Sequence, residues 1–248
     1  MKNIVYQTDK IANYFTNNRI TWDQFYESER VIIEKLHLDR HHEILDIGCG
    51  CGGLGLALRD RFGVTSYTGV EINQAAADAG RKMNPNARIL CGDILDITKK
   101  ALHEKRFNVV FSLSCVDWNV QFSDMLAVAW SHVQPGGNFV ATFRLTPDEG
   151  CNDFDQSYQF INYEGVREGE RASYVVLNAK ALFEQLVVFN PAEISGYGYW
   201  GPPSGTAVTP YKKLCFSAIS MRKRNNNESG LLRSKLDFPA EILRILPS

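Results

Sequence analysis

Residues 44–53 read Ile-Leu-Asp-Ile-Gly-Cys-Gly-Cys-Gly-Gly. The apolar start is typical of a buried strand, and residues 54–59, which follow the glycines, have the composition of a helix start. Glycine tolerates a positive φ and has no Cβ, so such a loop lets the backbone approach a ligand closely. The stretch contains the dinucleotide pattern G-x-G-x-x-G twice, and also a D-x-G-x-G-x-G pattern that begins at Asp46. The loop alone therefore predicts a nucleotide-type ligand and leaves its identity open.

Composition excludes several classes of protein. The 248 residues carry 27 Lys and Arg against 28 Asp and Glu, which gives a formal net charge of −1. A chain with this near-neutral charge has no overall positive electrostatic field to attract a phosphate backbone, so extensive nucleic-acid binding is disfavoured. The 6 cysteines include no C-x-x-C pair, so we expect reduced thiols and no metal. No apolar run reaches the roughly 18 residues of a membrane span, and the start of the chain lacks a signal-peptide core, so a cytoplasmic location is expected.

Strand-like and helix-like segments alternate through the first half of the chain. The predicted strands cover residues 43–47, 66–71, 87–91, 108–113 and 138–144, and the predicted helices cover residues 53–62, 73–83, 97–105 and 122–133. This alternation predicts a parallel sheet with helices on both faces, whose ligands bind outside the carboxyl ends of the strands. The glycine loop follows the first strand at that end, where a ligand site is expected.

The flanking segments follow other patterns. A capping box of Thr21 and Gln24 predicts a helix over residues 21–38, and the sequence Gln-Pro-Gly-Gly at 134–137 predicts a turn. Beyond residue 146 the chain is polar and aromatic. The elements predicted after it are a helix at 178–189, strands at 193–200 and 212–221, a solvated linker at 222–230 and a short apolar tail at 231–247.

Two carboxylates stand at the ends of neighbouring predicted strands. Glu71 ends the second strand about 20 residues after the glycines, where a carboxylate can accept hydrogen bonds from both ribose hydroxyls. Asp93 follows the third strand, where it either accepts from an adenine amino group, with Ile94 against the ring, or caps a helix. Glu71 fits a dinucleotide equally well, so these positions alone do not select the cofactor.

Five sequence blocks resemble one family in order and spacing. ILDIGCGCGG, YTGVEIN, ILCGDILD, FNVVFSLSCVDW and HVQPGGNFVATF are similar to the conserved blocks of class I S-adenosylmethionine-dependent methyltransferases, over about residues 40–145. The resemblance implies an α/β fold with a Rossmann-like sheet of seven mostly parallel strands, helices on both faces and an antiparallel last strand. It implies S-adenosylmethionine as the cofactor. A nicotinamide-dependent enzyme is the alternative that the glycines would allow, although its fingerprint does not require Asp46.

The resemblance also assigns the cofactor-binding residues. It places the glycine loop against the methionine part of the cofactor, with Asp46 orienting the loop, Glu71 on the ribose, and Asp93 and Ile94 on the adenine. The full predicted set is Asp46, Gly48, Cys49, Gly50, Gly52, Glu71, Ile72, Asp93, Ile94, Ser112 and Trp118. For Asp46 the alternative is simple bracing of the loop.

The acceptor side is expected beyond the fourth strand. Many family members that act on small molecules carry a histidine-tryptophan pair there, and this chain has Asp117 and Trp118. Asp117 is therefore the candidate catalytic base or acceptor-orienting carboxylate, with a capping role as the alternative. Tyr158, Tyr163 and Tyr199 belong to aromatic clusters that suit sugars or planar molecules, and they are the predicted substrate-binding residues unless they pack in the core.

The expected function is methyl transfer to a small molecule, at an oxygen of a sugar, a nucleotide sugar or a similar compound. SYQFINYEG, YVVLNAKALFEQL and GYGYWGPPS also resemble bacterial methyltransferases of surface-glycan pathways. The alternatives are a methyltransferase acting on RNA or protein, and a non-catalytic module that binds S-adenosylmethionine or a partner. We expect no membrane partner, and either a monomer or a homodimer.

The predicted domain organisation has one methyltransferase domain over residues 1–222. Within it, residues 1–40 form an N-terminal helical lid and residues 146–177 an acceptor-side insertion. Residues 223–248 form the linker and tail.

Overall fold

The computed structural model describes residues 10–97, 101–119, 122–162 and 165–247. The helices are α1 (Lys10–Phe15), α2 (Glu27–Glu34), α3 (Gly53–Phe62), α4 (Gln74–Met83), α5 (Ile94–Ile97), α6 (Phe122–Ser131), α7 (Ala179–Val188) and α8 (Ala240–Leu243). The strands are β1 (Glu43–Ile47), β2 (Ser66–Glu71), β3 (Arg88–Cys91), β4 (Phe107–Ser112), β5 (Val133–Thr146), β6 (Tyr158–Phe160), β7 (Arg171–Ser173), β8 (Leu177–Asn178), β9 (Glu193–Gly201), β10 (Ala207–Val208), β11 (Leu214–Arg222) and β12 (Arg233–Asp237).

The central sheet has the strand order β12-β9-β11-β5-β4-β1-β2-β3. β11 runs antiparallel to both of its neighbours, and the other strands on this path pair in parallel. The predicted α/β fold, mostly parallel with an antiparallel last strand, is confirmed. In the structure, β12 adds a strand at one edge of the seven that were predicted, and the short β8 pairs with the end of β5.

The sheet is buried on both faces, which explains the continuous apolar runs in its strands. In β4, Val109 and Phe111 lie in the cluster that includes apolar residues of α2 and α3. Val110, between them, lies in the cluster on the opposite face, together with residues of α6 and α7. Each of the three side chains is at most 1% exposed. The carboxyl ends of β1, β2 and β4 are therefore held rigidly at one edge of the sheet.

The single long N-terminal helix predicted from the sequence is wrong. A 3-10 turn ends at Gln24, whose side chain accepts a hydrogen bond from the Thr21 N–H at 3.1 Å. A second cap then follows, because a Glu29 carboxylate oxygen accepts from the Tyr26 N–H at 2.8 Å at the start of α2. Two capping sequences in succession end one helical turn and begin another helix.

The predicted turn at residues 134–137 is the irregular beginning of β5. Gly136 has φ +80°, and the pairing with β4 shifts register between Phe107 and Val109. The Gly136 N–H donates to the carbonyl of Lys223 at 3.1 Å, and the Lys223 N–H donates to the carbonyl of Gly137 at 2.8 Å. The backbone polar groups are thus paired with the sheet, which extends the strand through the glycines.

The segments after β5 build two further features. β10, β6 and β7 form a small antiparallel sheet within the region predicted as the acceptor-side insertion and beyond it. The predicted linker and tail contributes β12, which pairs in parallel with β9, and then packs Phe238 and Ile242 into the core at 6% and 0% exposure. The tail is therefore part of the sheet. No helix in the described part of the chain is long and apolar enough to cross a membrane.

Candidate active site

The glycine loop follows β1 with three left-handed residues. Gly48, Gly50 and Gly52 have φ values of +75°, +54° and +73°. A Cβ added to Gly48 would lie 2.3 Å from the Sγ atom of Cys115, so a side chain is excluded there by space as well as by conformation. Gly48 and Gly50 line the recess beneath the loop, whereas Gly52 caps α3 and faces the side chain of Ile89. The loop therefore exposes backbone toward the edge of the sheet where ligands bind.

Glu71, at the end of β2, is tied to the glycine loop. Its Oε2 atom accepts from the Gly50 N–H at 2.9 Å, and its Oε1 atom accepts from the Asn73 N–H at 2.8 Å. The side chain is buried, and burial raises the pKa of the carboxyl group, opposed by these backbone donors. The Ile72 N–H is a third backbone donor to this carboxylate. A carboxylate offers about four acceptor positions, so Glu71 can still accept from a ligand hydroxyl.

Asp46 lies beneath the glycine loop and is buried. The Tyr67 hydroxyl donates to its Oδ2 atom at 2.5 Å. Burial raises the pKa of Asp46 to about 7, and the Tyr67 hydrogen bond and the charge of Arg19 oppose that rise. The placement fits the predicted loop-orienting role and equally fits the bracing alternative.

Three predicted residues line the next part of the cleft, beyond β2 and β3. They are Ile72, Asp93 and Ile94. The Oδ1 atom of Asp93 accepts from the Leu95 N–H at 2.9 Å, so this carboxylate caps α5 as well as facing the cleft. Both predicted roles of Asp93 are therefore compatible with one geometry, because a carboxylate offers more than one acceptor site.

The cleft brings together most of the residues predicted to bind the cofactor. Gly48, Glu71, Ile72, Asp93, Ile94 and Trp118 line it, and Asp46, Cys49 and Gly50 line the adjoining recess. Ser112 is buried and lies outside both linings, and Ser114, two residues later, lines them. In the described part of the chain, no group of three or more His, Cys, Asp or Glu side chains is arranged to hold a metal ion.

An aromatic residue of α1 covers the glycine loop. A Cβ added to Gly50 would lie 3.1 Å from the ring of Phe15, which lines both the cleft and the recess. From the sequence, Phe15 was predicted only to lie in the N-terminal lid, residues 1–40. Tyr6, which was expected in the same lid, lies outside the described residues.

A larger cavity of about 690 Å³ opens beside the cleft. The two share Phe15, Ser114 and Trp118 in their linings. Nine of the 25 residues that line it are aromatic, and residues with hydroxyl groups are interspersed; the contributors include Tyr26, Thr142, Phe160, Tyr174, Tyr199 and Phe216. A cavity of this size and composition is typical of a small-molecule site.

The residues predicted to bind the acceptor are distributed unevenly. Tyr199 lines the cavity. Tyr158 is outside the lining and contacts the rings of Phe154 and Phe160 on the small antiparallel sheet, where Arg171 lies over its face. Tyr163 falls outside the described residues. The small sheet thus reaches the cavity through the neighbours of Tyr158 in β6.

Asp117 lies in the cavity wall and is paired with Arg144, which the sequence analysis missed. The Nη2 atom of Arg144 is 3.4 Å from the Oδ2 atom of Asp117 and donates to the Asp117 carbonyl at 2.5 Å. The guanidinium also lies 3.9 Å from the ring centroid of Tyr174. Burial raises the pKa of Asp117, and the charge of Arg144 opposes the rise. The only available sequence signal was a charged residue at the end of an apolar strand.

Sequence comparison identifies the region that contains the cleft. A family model described as "Methyltransferase domain" matches residues 44–137. A trans-aconitate 2-methyltransferase of Deinococcus radiodurans is 30% identical over 96 residues, covering 38% of this chain and 35% of that protein. A malonyl-[acyl-carrier protein] O-methyltransferase of Brevibacillus brevis is 28% identical over 211 residues, covering 81% and 72%. The alignments to the first three curated relatives span between 35% and 40% of those proteins.

Solved structures share the fold. Haemonchus contortus phosphoethanolamine N-methyltransferase 2, in complex with S-adenosyl-L-methionine, has a TM-score of 0.60 at 14% identity, covering 88% of this chain and 58% of that chain. A S-adenosylmethionine-dependent methyltransferase from Clostridium acetobutylicum has a TM-score of 0.54 at 14% identity, covering 86% and 99%. Fold, sequence blocks and family model agree: residues 44–137 match a methyltransferase domain, and the chain resembles the class I S-adenosylmethionine-dependent methyltransferases.

Proposed function

We propose that the chain transfers the methyl group of S-adenosylmethionine to an oxygen of a small molecule bound in the 690 Å³ cavity. The observation that carries this proposal is the continuity of the cavity with the cleft through Phe15, Ser114 and Trp118. A molecule in the cavity can reach the cleft through this junction, and the cleft is where the cofactor of this family is expected.

The residues of the cleft fit S-adenosylmethionine. The left-handed Gly48 and Gly50 put no Cβ in the way of the methionine part, and Glu71 offers its carboxylate to the ribose hydroxyls. Asp93 can accept from the adenine amino group, with Ile94 as an apolar wall. When bound, the cofactor supplies a methyl group already activated by the positive charge on sulfur.

Residues of the chain align the acceptor and remove its hydroxyl proton. Methyl transfer is an in-line displacement, in which alignment of the reactants can contribute roughly 7–11 kcal/mol. Trp118 and Phe15 line the junction, so their rings lie beside an acceptor that reaches the cleft. When bound, S-adenosylmethionine would give its methyl group to the acceptor oxygen and leave as S-adenosylhomocysteine, with the electron pair of the carbon–sulfur bond on sulfur. The hydroxyl proton passes to Asp117, the candidate base.

The wall of the cavity favours a small acceptor over a nucleic acid. Among the residues that the structure describes, the arginines in this wall are Arg19 and Arg144. Arg19 pairs with Glu29 at 2.8 Å and Arg144 pairs with Asp117 at 3.4 Å, so neither adds unbalanced charge for a phosphate chain. Aromatic faces and hydroxyl groups suit a sugar or a nucleotide sugar. The curated relatives are named for trans-aconitate, malonyl-[acyl-carrier protein], sterol and phosphoethanolamine, so their names favour no single acceptor.

The experiment is a turnover screen that follows release of S-adenosylhomocysteine. Nucleotide sugars, phenols, amines and RNA are offered separately, with Asp117→Asn as the impaired variant and Glu228→Gln as a control away from the cavity. We expect release with hydroxyl compounds only, and slower release from Asp117→Asn. Release with RNA or amines alone, or equal rates in the two variants, would contradict the proposal. A cytoplasmic location and the choice between monomer and homodimer stay predictions.

A further inference from the structure

Asp117 lines the cavity, and one of its carboxylate oxygens is buried without a hydrogen-bond partner among the described residues. Asp117 is 3% exposed, and its Oδ2 atom faces the guanidinium of Arg144. Its Oδ1 atom is buried and accepts no hydrogen bond from any described residue. Burying a carboxylate oxygen without a hydrogen-bond donor costs free energy, so a ligand that supplies a donor to this atom would be bound favourably.

The partner of that carboxylate has a free donor. Arg144 uses Nε to donate to the Val175 carbonyl at 3.1 Å and uses Nη2 toward Asp117. Its Nη1 atom donates to no atom in the described part of the chain. The guanidinium packs against the rings of Tyr174 and Trp118, at 3.9 and 4.7 Å from their centroids. It therefore offers its free N–H groups from a fixed plane.

The two side chains present an acceptor and a donor to the same cavity. Both residues line the cavity and form one ion pair, so a ligand that hydrogen-bonds to the carboxylate of Asp117 lies beside the guanidinium of Arg144. A protonated amine can satisfy Asp117 alone, and a single hydroxyl satisfies both groups only where its one oxygen lies within hydrogen-bond distance of each. Two oxygens on adjacent carbons satisfy both, since one hydroxyl donates to Asp117 and its neighbour accepts from Arg144.

We infer that Asp117 and Arg144 form a subsite for a vicinal diol, in which the hydroxyl on Asp117 is the one to be methylated. The inference rests on the proposed function and names the acceptor class of that site. Trp118 lines both the cavity and the cleft, so the subsite stands at their junction. The aromatic wall, which includes Tyr199 and Phe216 with ring centroids 6.2 Å apart, receives the flat face of the ring that carries the diol.

A vicinal diol can come from a sugar or from a catechol, and binding measurements distinguish the two. Calorimetry with S-adenosylhomocysteine present compares catechol with phenol, and a methyl mannoside with the deoxy analogue that lacks one of the adjacent hydroxyls. In at least one pair, we expect the diol to bind about tenfold or more tightly than the compound that lacks one hydroxyl, because that compound loses a charge-assisted hydrogen bond. The pair that shows the ratio identifies the source.

Two variants test whether the ratio of the two affinities, diol over the compound that lacks one hydroxyl, depends on this subsite. Arg144→Lys loses the planar fork, and Asp117→Asn loses the charged acceptor; each should bring the two affinities within about twofold. Arg222→Lys is the matched control, because Arg222 pairs with Glu228 away from the cavity, and it should keep the ratio. Thermal unfolding of each variant shows whether it is folded.

Three results overturn the inference. They are no binding in either pair, no preference for the diol in the unmodified protein, and a preference that survives both variants. If the Arg144 variant does not fold, the ratio in the unmodified protein and in Asp117→Asn decides. The same titrations are run without S-adenosylhomocysteine, and turnover is measured separately. An intact ratio without turnover therefore contradicts the proposed function and supports the subsite.

Discussion

Replacing Gly48 by alanine tests the glycine loop against a control elsewhere in the chain. Gly48 has φ +75° and Gly63, which caps α3, has φ +72°, so alanine meets the same backbone strain of roughly 1–2 kcal/mol at both positions. The Cβ at Gly48 would lie 2.3 Å from the Cys115 Sγ atom, whereas no atom of the described residues lies within 4 Å of the Cβ at Gly63. Overpacking adds about 1–3 kcal/mol at Gly48 alone.

Urea unfolding measures the free energy of both variants, and calorimetry measures their affinity for S-adenosylhomocysteine. We expect Gly63→Ala to lose about 1–2 kcal/mol and to bind normally. Gly48→Ala should lose about 2–5 kcal/mol and bind more weakly, because its loop must shift away from Cys115. Equal stability losses, or unchanged affinity in Gly48→Ala, would refute the placement of this loop against the cofactor.

Three further predictions concern single carboxylates. Glu71→Gln should weaken cofactor binding about ten- to 150-fold, because about one charged hydrogen bond of 1.5–3 kcal/mol is lost; unchanged affinity by calorimetry would remove the ribose assignment. Asp117→Asn should lower turnover with nearly intact cofactor affinity, and equal loss of both would indicate a structural role. Asp46 has a pKa of about 7 against 3.8 for an unperturbed aspartate, so the folded chain holds a proton that the unfolded chain releases between these values. Its stabilising contribution is therefore greatest below pH 3.8 and lost as the pH rises to about 7, at most about 4 kcal/mol. The urea stability of the unmodified chain relative to Asp46→Asn should fall over that window and then level off, and a flat difference would show that the folded pKa is unperturbed.

Local patterns predicted the half of the fold that the cofactor uses. The bounds of β1, α3 and β2 agree with the predicted segments, because each has a continuous apolar run or a helical start next to a glycine signal. The helix predicted over residues 73–83 corresponds to α4, and Asn73 caps it, because its side chain accepts from the Ala76 N–H at 2.9 Å. These features depend on residues close together in the chain, so the sequence carries them.

Features that depend on distant residues were missed. β12 is polar and pairs with β9 some forty positions earlier, from Arg233 opposite Glu193 to Asp237 opposite Tyr197. No local periodicity marks such an edge strand. Likewise Asp117, in the 3-10 turn that follows β4, meets Arg144 of β5, and the pairing of β4 with β5 brings them together. The acceptor side of the site therefore required the structure.

Transfer of label from radioactive S-adenosylmethionine tests the central claim most directly. The purified chain is incubated with the labelled cofactor and, separately, with the small-molecule, RNA and protein fractions of an extract from its source. The proposed function predicts that the methyl label passes to the small-molecule fraction, and that Glu71→Gln slows this transfer. Label in the RNA or protein fraction alone, or no transfer to any fraction, would contradict it.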